Sequence, residues 1–356
     1  MPDQDRNGVA VLGAGIGRAH VEALIRLPDR FRVAAVCDLD AERGRDLAAL
    51  AEHCRVETDI EAVLSATDVD IVVVCLPPSL HTPVTVDALE AGKHVVCEKP
   101  FALSLDAADR MIQAAQASGR ALAPVFQYRH GHGYRQLRHL VSTGLAGRAL
   151  TASLETHWNR DTDYYAVPWR GTWAGEGGGA ILSHAIHIHD MLTHALGPVA
   201  RVTASLATRV NESEVDDCAA VALELAGGAV ATSSITLGAA DNTSRLRFCF
   251  SGVTAESGLD PYRPGRAPWT FTARLPTEQS MIDAAIRSVA AAPEGYVGFY
   301  AELDRTLRGE TAEGVSLDDA RRSIELVTAL YRSARTGASI ALPVSTDDPG
   351  YSGWAP

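Results

Sequence analysis

The sequence predicts a doubly wound, parallel-sheet α/β domain followed by an α+β domain built on a mostly antiparallel sheet. Three observations carry this expectation. Short β-branched runs alternate with helical stretches up to about residue 126, a glycine-rich turn follows the first of them, and beyond residue 127 extended runs succeed one another with only Gly-rich or polar turns between. Strands alternating with helices form a parallel sheet covered on both faces, whereas strands joined by turns pair antiparallel. At 356 residues the chain exceeds the roughly 250–300 at which one core stops growing, so two domains are expected, 1–126 and 127–356.

In the first domain, strands are read at Val9–Leu12, Val33–Cys37, Ile71–Cys75, His94–Cys97 and Ala121–Ala123. The run Ile71-Val72-Val73-Val74-Cys75 is the most apolar, as suits a strand buried on both faces. Helices are read from the glycine turn to about Leu27, on to about His53, and at Pro83–Ala91 and Leu105–Ser118. Gly92 and Gly119 stand where left-handed C-caps belong. In the second domain the extended runs are Leu150–His157, Arg201–Val210, Cys218–Leu225, Ala229–Leu237 and Arg245–Phe250, with a hairpin signal at Gly227-Gly228. A last helix, Leu317–Thr336, sets Ala320, Ile324, Val327 and Leu330 on one stripe and is expected to pack back on the first domain.

Composition excludes several function classes. With 46% hydrophobic and 21% charged residues, the chain can bury sizeable cores without disulfides or metals. A net charge of −12 implies no basic surface for nucleic-acid phosphates or anionic membranes. Cys37, Cys54, Cys75, Cys97, Cys218 and Cys249 form no C-x-x-C pair and read as reduced thiols of a cytoplasmic protein. Met1–Arg6 carries no apolar signal region, and no stretch approaches the roughly 18 apolar residues that span a bilayer, so neither secretion nor membrane insertion is expected.

Gly13-Ala14-Gly15-Ile16-Gly17 follows a strand and opens a helix, the context of a Rossmann dinucleotide turn. Such a turn lets backbone N–H groups and a helix N-terminus approach a pyrophosphate. The usual spacing is G-x-G-x-x-G. Here position 18 is Arg18, so the third glycine arrives one residue early in a shortened turn. Asp38 ends the second strand about 20 residues on, where a carboxylate accepts from ribose hydroxyls and repels a 2′-phosphate. NAD(H) is therefore preferred over NADP(H), with Arg43 and Arg45 weighing the other way. Asp38 could equally cap the next helix.

The segments Leu76-Pro77-Pro78-Ser79-Leu80-His81 and Ala91-Gly92-Lys93-His94-Val95-Val96-Cys97-Glu98-Lys99-Pro100 resemble the glucose–fructose oxidoreductase/inositol dehydrogenase (Gfo/Idh/MocA) family. Tyr164-Tyr165, Pro168-Trp169-Arg170-Gly171-Thr172-Trp173, Gly177-Gly178-Gly179 and Asp319–Pro343 extend the likeness over nearly the whole chain. The resemblance implies a large open second sheet and NAD(P)-dependent hydride chemistry on a sugar, sugar derivative or cyclic polyol. It places Lys99 beside the nicotinamide and the reacting carbon, where an ammonium stabilises a developing alkoxide. It gathers Gly13, Gly15, Ile16, Gly17, Asp38, Leu76, Pro77, His81, Glu98, Lys99, Gln127, Trp169 and Arg170 around the cofactor. It also implies a homodimer or homotetramer joined through the open sheet face.

Ser183-His184-Ala185-Ile186-His187-Ile188-His189-Asp190 reads as the start of one helix, with Ser183 and His187 on one face and His184 and Asp190 at its flanks. His187 and Asp190 match the family pattern, but Ser183 replaces its first acid. His187 is the expected general acid/base, with Ser183 modifying the proton chemistry; Tyr165, His184, His187 and Lys99 are the expected substrate contacts. A metal on His184, His187 and Asp190 is the rival reading, and no metal is expected. Two other functions stay open: an NAD-dependent glycosidase or lyase with transient oxidation, and a non-catalytic NAD or sugar sensor.

Overall fold

The computed structural model describes residues 6–310 and 314–356, so the opening residues 1–5 lie outside it. The chain divides into two compact units, one running to Val125 and including Tyr296–Arg321, the other comprising Phe126–Gly295 and Arg322–Pro356.

The first unit holds six parallel strands, β1 (Asn7–Leu12), β2 (Phe31–Cys37), β3 (Arg55–Glu57), β4 (Ile71–Val74), β5 (His94–Cys97) and β6 (Leu122–Pro124), in the order β3-β2-β1-β4-β5-β6. The strand order reverses between β1 and β4, and ligands of doubly wound sheets bind at the carboxyl ends flanking such a point. Helices α1 (Gly17–Leu24), α2 (Ala41–Ala48), α3 (Ile60–Leu64), α4 (His81–Glu90) and α5 (Leu105–Ser118) make the crossovers. Gly92 and Gly119 take positive φ, +78° and +65°, as C-caps require. Val9, Val11, Val33, Ile71, Val73 and Val96 form the core.

One part of this unit comes from far along the chain. Phe299, Tyr300 and Leu303 join that core, and Arg321 pairs with Asp109 at 2.6 Å. The expected division at residue 127 thus omitted 296–321 from the first unit, because no local pattern reveals which sheet an amphipathic helix covers.

In the second unit α6 (His132–Ser142), α7 (Thr162–Tyr165), α8 (Ala180–Ser183), α9 (Ile186–Leu196) and α10 (Gln279–Ser288) accompany an eight-stranded sheet. Its strands are β7 (Ala149–Asn159), β8 (Val199–Ala207), β9 (Cys218–Leu225), β10 (Val230–Thr236), β11 (Gly238–Phe250), β12 (Val253–Glu256), β13 (Thr270–Ala273) and β14 (Ile340–Ala341), ordered β13-β12-β11-β7-β10-β9-β8-β14. Every pairing is antiparallel except β7 with β10. Burial alternates strictly: Ala219, Val221, Leu223 and Leu225 of β9 face inward, while Ala220, Ala222 and Glu224 are exposed. The β9–β10 hairpin turns on Gly228 at φ +84°. Helix α11 (Gly295–Leu307) supplies the first unit from Tyr296 onward. Helix α12 (Leu317–Thr336) buries Ala320, Ile324, Val327 and Leu330 as its stripe predicts, but only its residues up to Arg321 belong to the first unit. Among the described residues no helix is long and apolar enough to cross a membrane.

Candidate active site

The glycine turn joins β1 to α1, and each glycine has its own reason. Gly13 has φ +97°, and a Cβ there would lie 2.5 Å from the Cys75 carbonyl oxygen. A Cβ on Gly17 would meet Val11 Cγ1 at 2.8 Å, so α1 packs close on β1 only without a side chain. At Gly15 a Cβ would meet nothing nearer than Arg43 Nη2 at 4.0 Å, which leaves the crest open to a close-approaching ligand. Asp38 is fixed beside the turn: Oδ2 accepts from Ala14 N (2.7 Å) and Oδ1 from Asp40 N (2.9 Å). A carboxylate has about four lone-pair positions, so capacity remains for two ribose hydroxyls. The α2 cap is Asp40, which accepts from Glu42 and Arg43; Asp38 does not cap that helix. These features fit an adenine dinucleotide, and the open crest at Gly15 is the observation that tests the fit.

His81 is not at a surface. The ring is buried, with Nδ1 2.7 Å from Pro100 O and Nε2 2.9 Å from Leu76 O, and burial lowers its pKa despite these carbonyls. It clamps the Leu76-Pro77 segment to the loop after Lys99, so it positions cofactor-side residues rather than facing outward. Leu76 and Pro77 are half-buried above it.

Lys99 follows β5, half-buried, with its peptide N–H on Glu98 Oε2 at 3.0 Å. Glu98 is buried and tied through Oε1 to His20 Nε2 (3.0 Å) and the Tyr296 hydroxyl (2.7 Å), while His20 Nδ1 meets the Tyr300 hydroxyl at 2.6 Å. Burial alone would raise the Glu98 pKa. The His20 bond and charge, Lys99 and Tyr296 overcome it and hold the carboxyl down at about 2. A permanent anion therefore sits beneath the Lys99 backbone.

In the second unit the histidines diverge. The expected single helix is two, α8 and α9, broken at His184 (φ −124°, ψ −60°). Ser183 Oγ donates to Gly179 O (2.8 Å), and His184 Nδ1 lies 2.8 Å from Ser183 Oγ. Arginine only donates, so Arg160 Nε, 3.3 Å from His184 Nε2, places the ring proton on Nδ1 and aims it at Ser183. Ser183 and His187 therefore do not share a helical face, and the Ser183 hydroxyl is turned into the backbone. His187 stacks on Tyr128 (centroids 4.2 Å, 21°) with Phe126 edge-on. Asp190 is buried against Arg129, Nε to Oδ2 2.8 Å and Nη2 to Oδ1 2.5 Å. Through Arg129 it fixes the 3₁₀ turn Gln127–Arg129, which Gln127 opens. His189 bonds Ser233 Oγ at 3.0 Å, and burial lowers its pKa to about 4. Among the described residues no three His, Cys, Asp or Glu could hold a metal ion.

Tyr164 and Tyr165 end α7 in edge contact, centroids 5.0 Å apart. Arg170 lies over Tyr164 (3.9 Å) and Trp169 (4.6 Å). The triple glycine has a packing reason: a Cβ on Gly179 would lie 1.9 Å from Asp216 O, and Asp216 accepts from Gly179 N and Ile181 N at 3.1 Å. Sequence reasoning missed His20, Tyr296, Tyr300, Tyr128, Arg129, Arg160 and Asp216. Of these only His20, three residues past Gly17, carried a local signal.

Residues 7–126 match the model of an oxidoreductase family with an NAD-binding Rossmann fold, and residues 134–256 match the GFO/IDH/MocA C-terminal domain. The chain belongs to the Gfo/Idh/MocA family. Its first unit is an NAD-binding Rossmann domain. Among this family's curated members, inositol 2-dehydrogenase of Rhodococcus erythropolis is 38% identical over 152 residues, 42% of this chain and 44% of that one. D-glucoside 3-dehydrogenase of Escherichia coli is 32% identical over 194 residues, 53% of this chain and 54% of that one. The matched segment thus spans about half the length of these relatives. Among solved structures, the WlbA dehydrogenase from Bordetella pertussis, in complex with NADH and UDP-GlcNAcA, superposes with a TM-score of 0.82 at 26% identity, covering 96% of this chain and all (100%) of that one.

Proposed function

We propose that this protein is an NAD-dependent dehydrogenase of the EC 1.1.1 type, acting on a hydroxyl or carbonyl of a sugar, sugar derivative or cyclic polyol. The observation that carries the reading is Lys99 at the end of β5, braced by a buried Glu98 and next to the strand-order reversal where a dinucleotide fits. NAD, when bound, accepts or returns the hydride. What the chain must supply is charge and proton management at the substrate oxygen. Lys99 donates a hydrogen bond to that oxygen and stabilises the charge that develops there. His187, held flat against Tyr128, exchanges the proton, since an imidazole can both accept and donate one. Ser183 and Tyr165 set the surroundings, Ser183 by holding His184 in one tautomer and Tyr165 by an aromatic face that packs sugar C–H groups. Leu76, Pro77, Gln127, Trp169 and Arg170 serve the cofactor.

The names of the relatives support this substrate class: inositol for one, a D-glucoside for another. Six free thiols support a reducing, cytoplasmic setting. Burial raises the thiols of Cys37, Cys54, Cys75, Cys97 and Cys218, with Cys97 pushed up to about 12.

The test is Lys99→Ala. Its expected effect is a loss of NADH formation by about 10³-fold or more across a panel of sugars and inositols, with NADH binding unchanged. Near-normal turnover in this variant would sink the assignment.

A further inference from the structure

Among the described residues, several half-buried arginines of the second unit have no carboxylate at ion-pair distance, and one of them, Arg160, is ringed by aromatic side chains and bonded to a histidine. Arg160 ends β7, half-buried, its guanidinium carbon 4.8 Å from the Trp158 ring centroid, 5.1 Å from Tyr164 and 5.8 Å from Tyr262. Its hydrogen-bond partners are His184 Nε2 (3.3 Å), the Asn159 carbonyl (2.7 Å), Asn242 Oδ1 (3.4 Å) and the Tyr262 hydroxyl (3.4 Å), all neutral. Among the described residues no carboxylate lies within ion-pair distance of it. Neighbouring acids are committed elsewhere: Asp161 caps α7 through Tyr164 N (3.2 Å), and Glu176 accepts from Gly171 N (2.7 Å). Ser183, on the far side of His184, adds no charge.

The chain carries a net charge of −12, and Arg129 and Arg321 each pair with a carboxylate, whereas Arg160 does not. Stacking between aromatic faces offsets part of the desolvation of a guanidinium and leaves its charge uncompensated. The fork is held rigid and shares a hydrogen bond with His184, a residue of the proposed substrate surroundings.

We propose that Arg160 recognises a carboxylate on the substrate, so that the sugar or cyclic polyol this protein acts on is an acid. One guanidinium matches one carboxylate in charge and in bidentate geometry; a phosphate monoester, nearer two charges, calls for more than one cation. The inference rests on the reading of the second unit as sugar-binding and deepens it.

The experiment titrates the full-length protein, saturated with NADH, with glucose and glucuronate, galactose and galacturonate, and mannose and mannuronate, following heat or Trp fluorescence. At least one acid is expected to bind tenfold or more tighter than its neutral partner. Arg160→Gln is expected to bring that ratio close to one while NADH binding and neutral-sugar binding move less than about twofold. Arg160→Lys, which keeps charge but loses the fork, retains part of the preference and serves if the glutamine variant does not fold. Sugars that bind with no preference for the acid overturn this inference and leave the dehydrogenase reading standing, as does a preference that survives in Arg160→Gln. Tighter binding of glucose 6-phosphate than of any uronate overturns the carboxylate assignment. No binding by any sugar, with NADH bound normally, overturns this inference; if inositols do not bind either, both readings fall.

Discussion

At the residue scale, two buried or half-buried carboxylates set the character of the first unit. Glu98 is held at about 2, below the roughly 4.3 of an unfolded glutamate. A depressed folded pKa contributes stability that is fully present above the unfolded value and is lost as pH falls through the folded one. Unfolding free energy is therefore expected to decline between about pH 4.5 and pH 2. Glu98→Gln should flatten that decline and cost about 3 kcal/mol at pH 7, since it leaves His20 without its anion. Denaturant titrations at pH 7, 4 and 3 check both; an unchanged acid slope in the variant refutes the assignment. We propose that Asp38 sets cofactor choice instead: its carboxylate would repel a 2′-phosphate, while Arg43 Nη2 lies 3.9 Å from it. Asp38→Ala is expected to weaken NADH binding about tenfold and to narrow the gap to NADPH, which parallel titrations of the two cofactors will read. A gap that stays wide would assign the preference to some other residue.

At the element scale, what was legible followed local periodicity. The strands at Val9, Val33, Ile71 and His94, the helix Leu105–Ser118, the hairpin at Gly228 and the buried stripe of α12 are legible from patterns within one segment, whereas the short β3 (Arg55–Glu57), with no buried residue, is not. What was not legible depends on distant partners. Glu98 meets His20, Tyr296 and Tyr300 in one network whose bonds span 78, 198 and 280 residues of chain. The break between α8 and α9 was hidden for another reason: helix propensity runs straight through Ser183–His187, and only the Gly179 and His184 bonds of Ser183 reveal the turn. The triple glycine carries part of the family likeness, yet at Gly179 its cause is packing. Gly179→Ala would push a methyl into Asp216 and is expected to lower stability by about 3 kcal/mol. Gly144→Ala, with φ +78° and nothing within 4 Å, should cost only about 1 kcal/mol of backbone strain. Thermal denaturation of the two, side by side, separates crowding from conformation, and equal losses would remove the crowding explanation.

At the scale of the whole molecule, the outer face of the second sheet asks for an occupant. Thr203 and Ser205 of β8, Ala220 and Ala222 of β9 and Thr232 and Ser234 of β10 are exposed, small and uncharged, although the chain as a whole is strongly acidic. Val230 beside them is 52% exposed. A flat, neutral sheet face lets two copies meet without opposing like charges, and self-association through one patch closes as a two-fold dimer. We propose that this face joins copies of the chain into a homodimer or homotetramer. Ala222 and Thr232 are cross-strand partners near the middle of the patch, so Ala222→Arg with Thr232→Arg would set four guanidinium groups against one another across a two-fold axis. Both positions are exposed, so the fold should keep its thermal midpoint in dilute solution apart from the stability that association itself supplies. Sedimentation velocity is expected to show an oligomer for the wild type and a monomer for the double variant. A wild type that sediments as a monomer, or a variant that keeps the oligomer, would move the interface elsewhere or abolish it.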